Sequence, residues 1–137
     1  MQPLICYEAL FPGLAARGPR PAWILNVSND AWFGRTSGPW QHLNIASYRA
    51  IEQGLPIVRA TPTGVSAVID AQGRILPGKV LGLTEFGVID ARLPSPVAPT
   101  VYSRLGDGPF AGLLVLSGLA WLAGRRRRPK PQTLGIT

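Results

Sequence analysis

Residues 108–124 read GPFAGLLVLSGLAWLAG, seventeen positions without a charge, and four arginines, Arg125 to Arg128, follow at once. As a helix this run is about 25 Å long, slightly short of a hydrocarbon core of about 30 Å. Arginine side chains reaching to the headgroups at one end, with Trp121 one turn inside them, make up the difference. The run therefore reads as one membrane span. Four consecutive arginines would be hard to place beside the core of a soluble domain.

The same segment explains the charge. The chain carries a formal +7, yet residues 1–107 hold nine Lys or Arg against all seven acidic residues, and the other five cations are Arg125 to Arg128 and Lys130. A basic surface spread over a domain would suggest a nucleic-acid partner; a basic tail behind an apolar run does not. No nucleic-acid partner is expected. The positive-inside rule places the tail in the cytoplasm and residues 1–107 on the other side, the periplasm or exterior of a bacterium. No apolar leader opens the chain, so delivery of that domain across the membrane is expected to depend on something upstream.

The body before the span alternates strand and helix signals. Sixteen Gly and fourteen Pro in 137 residues disfavour a helical bundle. AWILNV, residues 22–27, is a short apolar run between turn residues and predicts a buried strand. GPWQHLNIASYRAIEQG predicts a helix with Ser37 as cap, Pro39 in the first turn, Gly54 as stop, and Leu43, Ala46, Ala50 and Ile51 as its apolar stripe. LPIVRAT predicts a second buried strand, and GVSAVIDAQGRIL a hairpin turned by DAQG. EFGVIDARL predicts a further strand, and PSPVAP a stiff extended linker. The order points to a layered α/β fold.

PLICYE, residues 3–8, holds the only cysteine, Cys6, at the end of a short apolar run. A buried structural cysteine and a strand-end nucleophile both fit that position. His42 is the only histidine; on the predicted helix it is expected as a solvated residue rather than the partner of Cys6. One Cys and one His make no metal site, and no metal or cofactor is expected.

PLICYE, SNDAWFG, GPWQH, RAIEQGLPIVRATPTGVSAVID and YSRLGD, followed by one span, resemble in order and spacing the C-terminal part of bacterial apolipoprotein N-acyltransferases. That family is a membrane-embedded branch of the nitrilase, or carbon-nitrogen hydrolase, superfamily. The resemblance implies an α/β fold, the C-terminal portion of a nitrilase-like α-β-β-α sandwich followed by one transmembrane helix. Its boundaries are residues 1–93 for the nitrilase-like part, 94–107 for a linker, 108–124 for the span and 125–137 for a basic cytoplasmic tail. It implies a Glu-Lys-Cys triad with Cys6 as nucleophile. Cys6 would take an acyl chain from a phospholipid donor as a thioester and pass it to the N-terminal amine of a diacylglyceryl apolipoprotein. The backbone N–H of Tyr7 would donate to the oxyanion, Glu8 would support the site, and Trp32 would lie near the acyl entrance. The implied location is the bacterial inner membrane, multi-pass in the complete protein.

The family's glutamate and lysine lie before the cysteine, where this chain has only MQPLI. Lys79, expected in a Pro/Gly-rich loop, and Lys130 are the only lysines, and Glu52 and Glu85 occupy positions the family does not use. The chain is therefore expected to be a fragment, inactive alone, with an edge and one face of its sheet uncovered. Two other readings share the sequence features: a membrane-anchored nitrilase-type amidohydrolase, which sends water to the thioester, and a membrane-anchored extracellular domain without enzymatic activity.

Overall fold

The computed structural model describes residues 1–13 and 18–126. Five strands form one mixed sheet in the order β1 (Gln2–Ile5), β2 (Ile24–Val27), β3 (Ile57–Ala60), β4 (Ser66–Ile69), β5 (Ile75–Leu81). The first three are parallel and the last two antiparallel. The crossover from β2 to β3 carries α1 (Gly38–Gln53), as a parallel pair requires.

Alternation along the strands decides which face α1 covers. Leu4, Ile24 and Ile57 are buried with Leu43, Ala46 and Ala50 of the helix in one apolar core. On the other face, Ile5 and Val27 stand side by side, 63% and 43% exposed. β1 is an edge strand of the sheet.

The ends of α1 follow local chemistry. Pro39 sits in the first turn, and Gly54 ends the helix at φ +64°, where its N–H donates to the Ala50 carbonyl. A Cβ at Gly54 would lie 2.8 Å from Val97 Cγ2, so glycine is required for space as well as for backbone conformation. Ser37 makes no side-chain cap; the Thr36 hydroxyl accepts from the Gly38 N–H at 3.1 Å instead. Ile51 is 46% exposed and lies over the Gly73 turn, so the stripe is shifted toward His42, Leu43, Ala46, Arg49, Ala50 and Gln53.

The hairpin forms as its sequence suggests, with a longer second strand. Ile69 pairs with Ile75, and β5 continues to Leu81. Lys79 thus belongs to a strand and not to a loop. Residues 85–93, in contrast, form no strand. Their alternating apolar pattern finds no partner: Phe86 and Val88 are each 93% exposed, and β5 pairs only with β4. The segment is held instead by the Lys79 ammonium, which donates to the Asp90 carbonyl at 2.6 Å. Alternation by itself is not a strand signal when no edge receives it.

Residues 94–100 run without regular structure and are tied back to the C-terminal end of α1. The Val97 N–H donates to the Gly54 carbonyl at 3.0 Å, and Arg20 donates to the Gln53, Gly54 and Val97 carbonyls. A cation over exposed helix carbonyls is favourable there. α2 (Val101–Leu105) follows.

A separate unit begins at Leu105. Its helix α3 (Gly108–Arg126) is long and apolar enough to cross a membrane, and residues 108–125 are exposed throughout. Arg125 lies over the Trp121 ring at 4.4 Å, a cation–π contact at the expected interfacial end. The remainder of the basic tail, residues 127–137, lies outside the described residues.

Candidate active site

β1 ends at Ile5 and the chain turns at once into a 3-10 turn, Cys6–Leu10. Cys6 opens that turn at φ +52°, the one non-glycine residue with positive φ among the described residues. This conformation costs an L-residue roughly 1–2 kcal/mol and persists where the surroundings enforce it. The surroundings can be named. Glu8 folds back across the turn, its carboxylate accepting from the Ile5 N–H at 2.6 Å. Ala9 is fully buried, and the Leu10 carbonyl accepts from Arg49 at 3.4 Å. The result presents a free, half-buried thiol at the carboxyl end of a parallel strand, the end at which α/β sheets place their reactive groups.

Beneath this turn lies a buried polar network. Leu4, Asn26 and Arg59 stand in register across β1, β2 and β3 on the face that α1 covers. Asn26 donates to the Leu4 carbonyl at 3.0 Å and accepts from Arg59. The Arg59 guanidinium also donates to the Val65 carbonyl at 3.2 Å and to Asp30 Oδ2 at 2.7 Å. Asp30 Oδ1 accepts from the Ser28 hydroxyl at 2.9 Å and faces His42 Nδ1 at 2.8 Å. Gly64 makes room for the carboxylate, since a Cβ there would lie 2.6 Å from Asp30 Oδ2.

The charges balance within this cluster. Burial lowers the Arg59 pKa from its ordinary value, while the Asp30 carboxylate and, further down, Cys6 act to raise it. His42 Nδ1 lies between Asp30 Oδ1, at 2.8 Å, and the Arg59 guanidinium, at 3.2 Å. Nε2 of His42 is buried and has no hydrogen-bond partner among the described residues. His42 is therefore not a solvated helix residue: it is 4% exposed. The helix turns it onto the buried stripe, and Asp30 offsets the desolvation of its polar edge.

Cys6, Tyr7 and Glu8 thus share one turn, and Tyr7 stacks on the His42 ring with centroids 6.0 Å apart. Phe33 meets the same ring edge-on, also at 6.0 Å. Its neighbour Trp32 points outward from the 3-10 turn Ala31–Phe33 and is 81% exposed. His42 connects the Cys6 turn to the Trp32 loop. Lys79 is engaged with Asp90 in the segment after β5. No group of three metal-ligating side chains occurs among the described residues.

Asn26, Asp30 and Arg59 were not singled out by the motifs. One signal was available: an arginine inside the apolar run LPIVRAT requires a buried acid, and Asp30 directly follows the other buried parallel strand.

A strained cysteine at the end of a parallel strand, with an ionic network under it, defines a class: α/β domains that present a thiol at a strand end. Residues 1–100 match the carbon-nitrogen hydrolase family, and the chain belongs to it. It is similar to an apolipoprotein N-acyltransferase of Caulobacter vibrioides, with 62% identity over 87% of this chain and 22% of that protein. Proteins of the same name from Rhodopseudomonas palustris and Bradyrhizobium diazoefficiens are 58% and 55% identical, each over 93% of this chain and 23% of their own length. The chain spans about a fifth of the length of the curated relatives it matches.

Proposed function

We propose that this chain supplies the nucleophile and its supporting turn to an apolipoprotein N-acyltransferase held in a bacterial inner membrane. The observation that carries the reading is the coincidence of Cys6 on a strained strand-end turn with 62% identity to a protein of that name.

The chemistry divides into two transfers. The Cys6 thiolate attacks the ester carbonyl of a phospholipid acyl chain, and the C–O bond breaks. The lysophospholipid leaves as its alcohol after taking a proton, and a thioester remains. The α-amine of a diacylglyceryl apolipoprotein then attacks the thioester, an amide C–N bond forms as the C–S bond breaks, and a proton lost by the amine restores the thiol. Each tetrahedral stage places negative charge on one oxygen. Tyr7 lies in the first turn of its 3-10 segment, where backbone N–H groups lack intrahelical acceptors, so its N–H is the oxyanion donor in this reading. Glu8 supports the site by bracing the turn through Ile5, and exposed Trp32 contacts the acyl chain or lipid surface. α3 spans the membrane with its arginines on the cytoplasmic side.

The test grafts residues 1–137 into the Caulobacter relative in place of its matching segment. The chimera is expected to form an acyl-thioester on Cys6, read by mass spectrometry, and to acylate a diacylglyceryl peptide. Cys6→Ser should abolish both while the protein stays in the membrane, because a serine hydroxyl is not ionised in a site suited to a thiolate. Undiminished transfer by the serine variant would remove Cys6 from its role.

A further inference from the structure

Packing alone does not account for an arginine at position 59. Its side chain is 0% exposed and stands in the central parallel strands, where an apolar residue of similar volume is often as stable or more so. The guanidinium is fixed on three sides, by Asp30, Asn26 and the Val65 carbonyl. From it, two chains of contacts reach the nucleophile turn from opposite directions. One runs through Asn26 to the Leu4 carbonyl, two residues before Cys6. The other runs through Asp30 and His42 to the ring of Tyr7, one residue after Cys6. The Cys6 charge is also among those that favour the protonated Arg59.

We propose that Arg59 is a positioning residue for Cys6, bracing the turn on both sides through Asn26 and His42 and holding a buried positive charge beneath it. The inference rests on Cys6 as nucleophile and adds a device that the motifs around it do not contain. Arginine suits the task because its planar fork is held at several points while the charge stays on. The buried Asp30 keeps that charge affordable, and the sheet register keeps it in place.

Cys6 is the only cysteine, so alkylation of the 137-residue chain in detergent reports on it alone. Rates with iodoacetamide at pH 7 are compared for the unmodified chain, Arg59→Lys, and the double variant Asp30→Asn with Arg59→Gln, which removes both charges and strands neither. Near-UV circular dichroism establishes which variants are folded. In the unmodified chain, Cys6 should react faster folded than in concentrated urea, although folding half-buries it; slower reaction when folded overturns the proposal. The folded double variant should react about tenfold more slowly than the unmodified chain, and Arg59→Lys within about threefold of it. Equal rates for the unmodified and double-variant proteins, or a tenfold loss in Arg59→Lys, also overturn it. If the double variant does not fold, the urea comparison and the lysine variant decide. Thioester formation by the chimera is measured separately. A thioester with unaltered alkylation sinks this inference and leaves the acyltransferase reading standing; altered alkylation without a thioester does the reverse.

Discussion

Arg59 and Asp30 meet at 2.7 Å with their side chains 0% and 1% exposed. Two ions so far from water are each expensive alone and tolerable together. Breaking such a pair from one side typically costs about 3–5 kcal/mol, because the abandoned charge stays buried. Arg59→Met and Asp30→Leu should each destabilise residues 1–104 by that amount in urea unfolding. A loss below about 1 kcal/mol in both would show that water reaches the pair.

The strain at Cys6 is separable from its chemistry. Cys6→Gly and Cys6→Ala both lack the thiol, but glycine adopts φ +52° without a steric cost and alanine does not. Part of the relief is lost to the greater freedom of glycine in the unfolded chain. The glycine variant should therefore be about 0.5–1 kcal/mol more stable than the alanine variant, measured by denaturant midpoint. Equal stabilities would mean that the turn is unstrained.

These two residues mark where the sequence is readable and where it is not. Ile24–Val27, Ile57–Ala60 and α1 announce themselves through apolar runs, Pro39 and Gly54, because local patterning and local stop signals suffice for them. The Asp70 to Gly73 turn is legible for the same reason. Residues 85–93 carry an equally good strand pattern and form none, since pairing depends on a neighbour that a local pattern does not encode. His42 looked solvated because its acid partner lies twelve positions away, and Arg59 finds Asp30 across twenty-nine. Family resemblance singled out Cys6, Tyr7, Glu8 and Trp32; it said nothing of the ionic layer beneath them.

Asp70 makes the hairpin turn sensitive to acid. Burial by itself would raise its pKa, but the Arg74 N–H and side chain and the Gln72 N–H outweigh that and hold it below the usual carboxylate value. A lowered folded value means stability that is present above the unfolded pKa, about 3.9, and is lost as pH falls through the folded one. Asp70→Asn should flatten that part of the stability–pH curve and leave the region above about pH 5 with the same slope. An unchanged acid limb would assign it to another carboxylate.

The orientation of α3 is open to a direct measurement. In the chimera, a reporter fused after Thr137 should behave as cytoplasmic, because five cations, Arg125 to Arg128 and Lys130, follow the apolar run. Replacing all five with glutamine should weaken that preference. A periplasmic signal from the unmodified fusion would reverse the assignment of residues 1–107 to the outer side.

The 137-residue chain by itself should form no acyl-thioester. Its two lysines are Lys79 and Lys130; Lys79 is committed to the Asp90 carbonyl beyond β5, and Lys130 follows the span on the proposed cytoplasmic side. Glu8 is committed to the Ile5 N–H, so it braces the turn and does not stand free as a general base. Nucleophile, base and oxyanion donor act as a unit, and loss of one commonly costs several orders of magnitude in rate. Incubating the chain with phospholipid in detergent and weighing the Cys6 peptide should therefore show the free thiol. A stoichiometric acyl adduct would mean that the groups already around Cys6 suffice to activate it, with Arg59, Glu8 and the unpartnered Nε2 of His42 the first to be substituted.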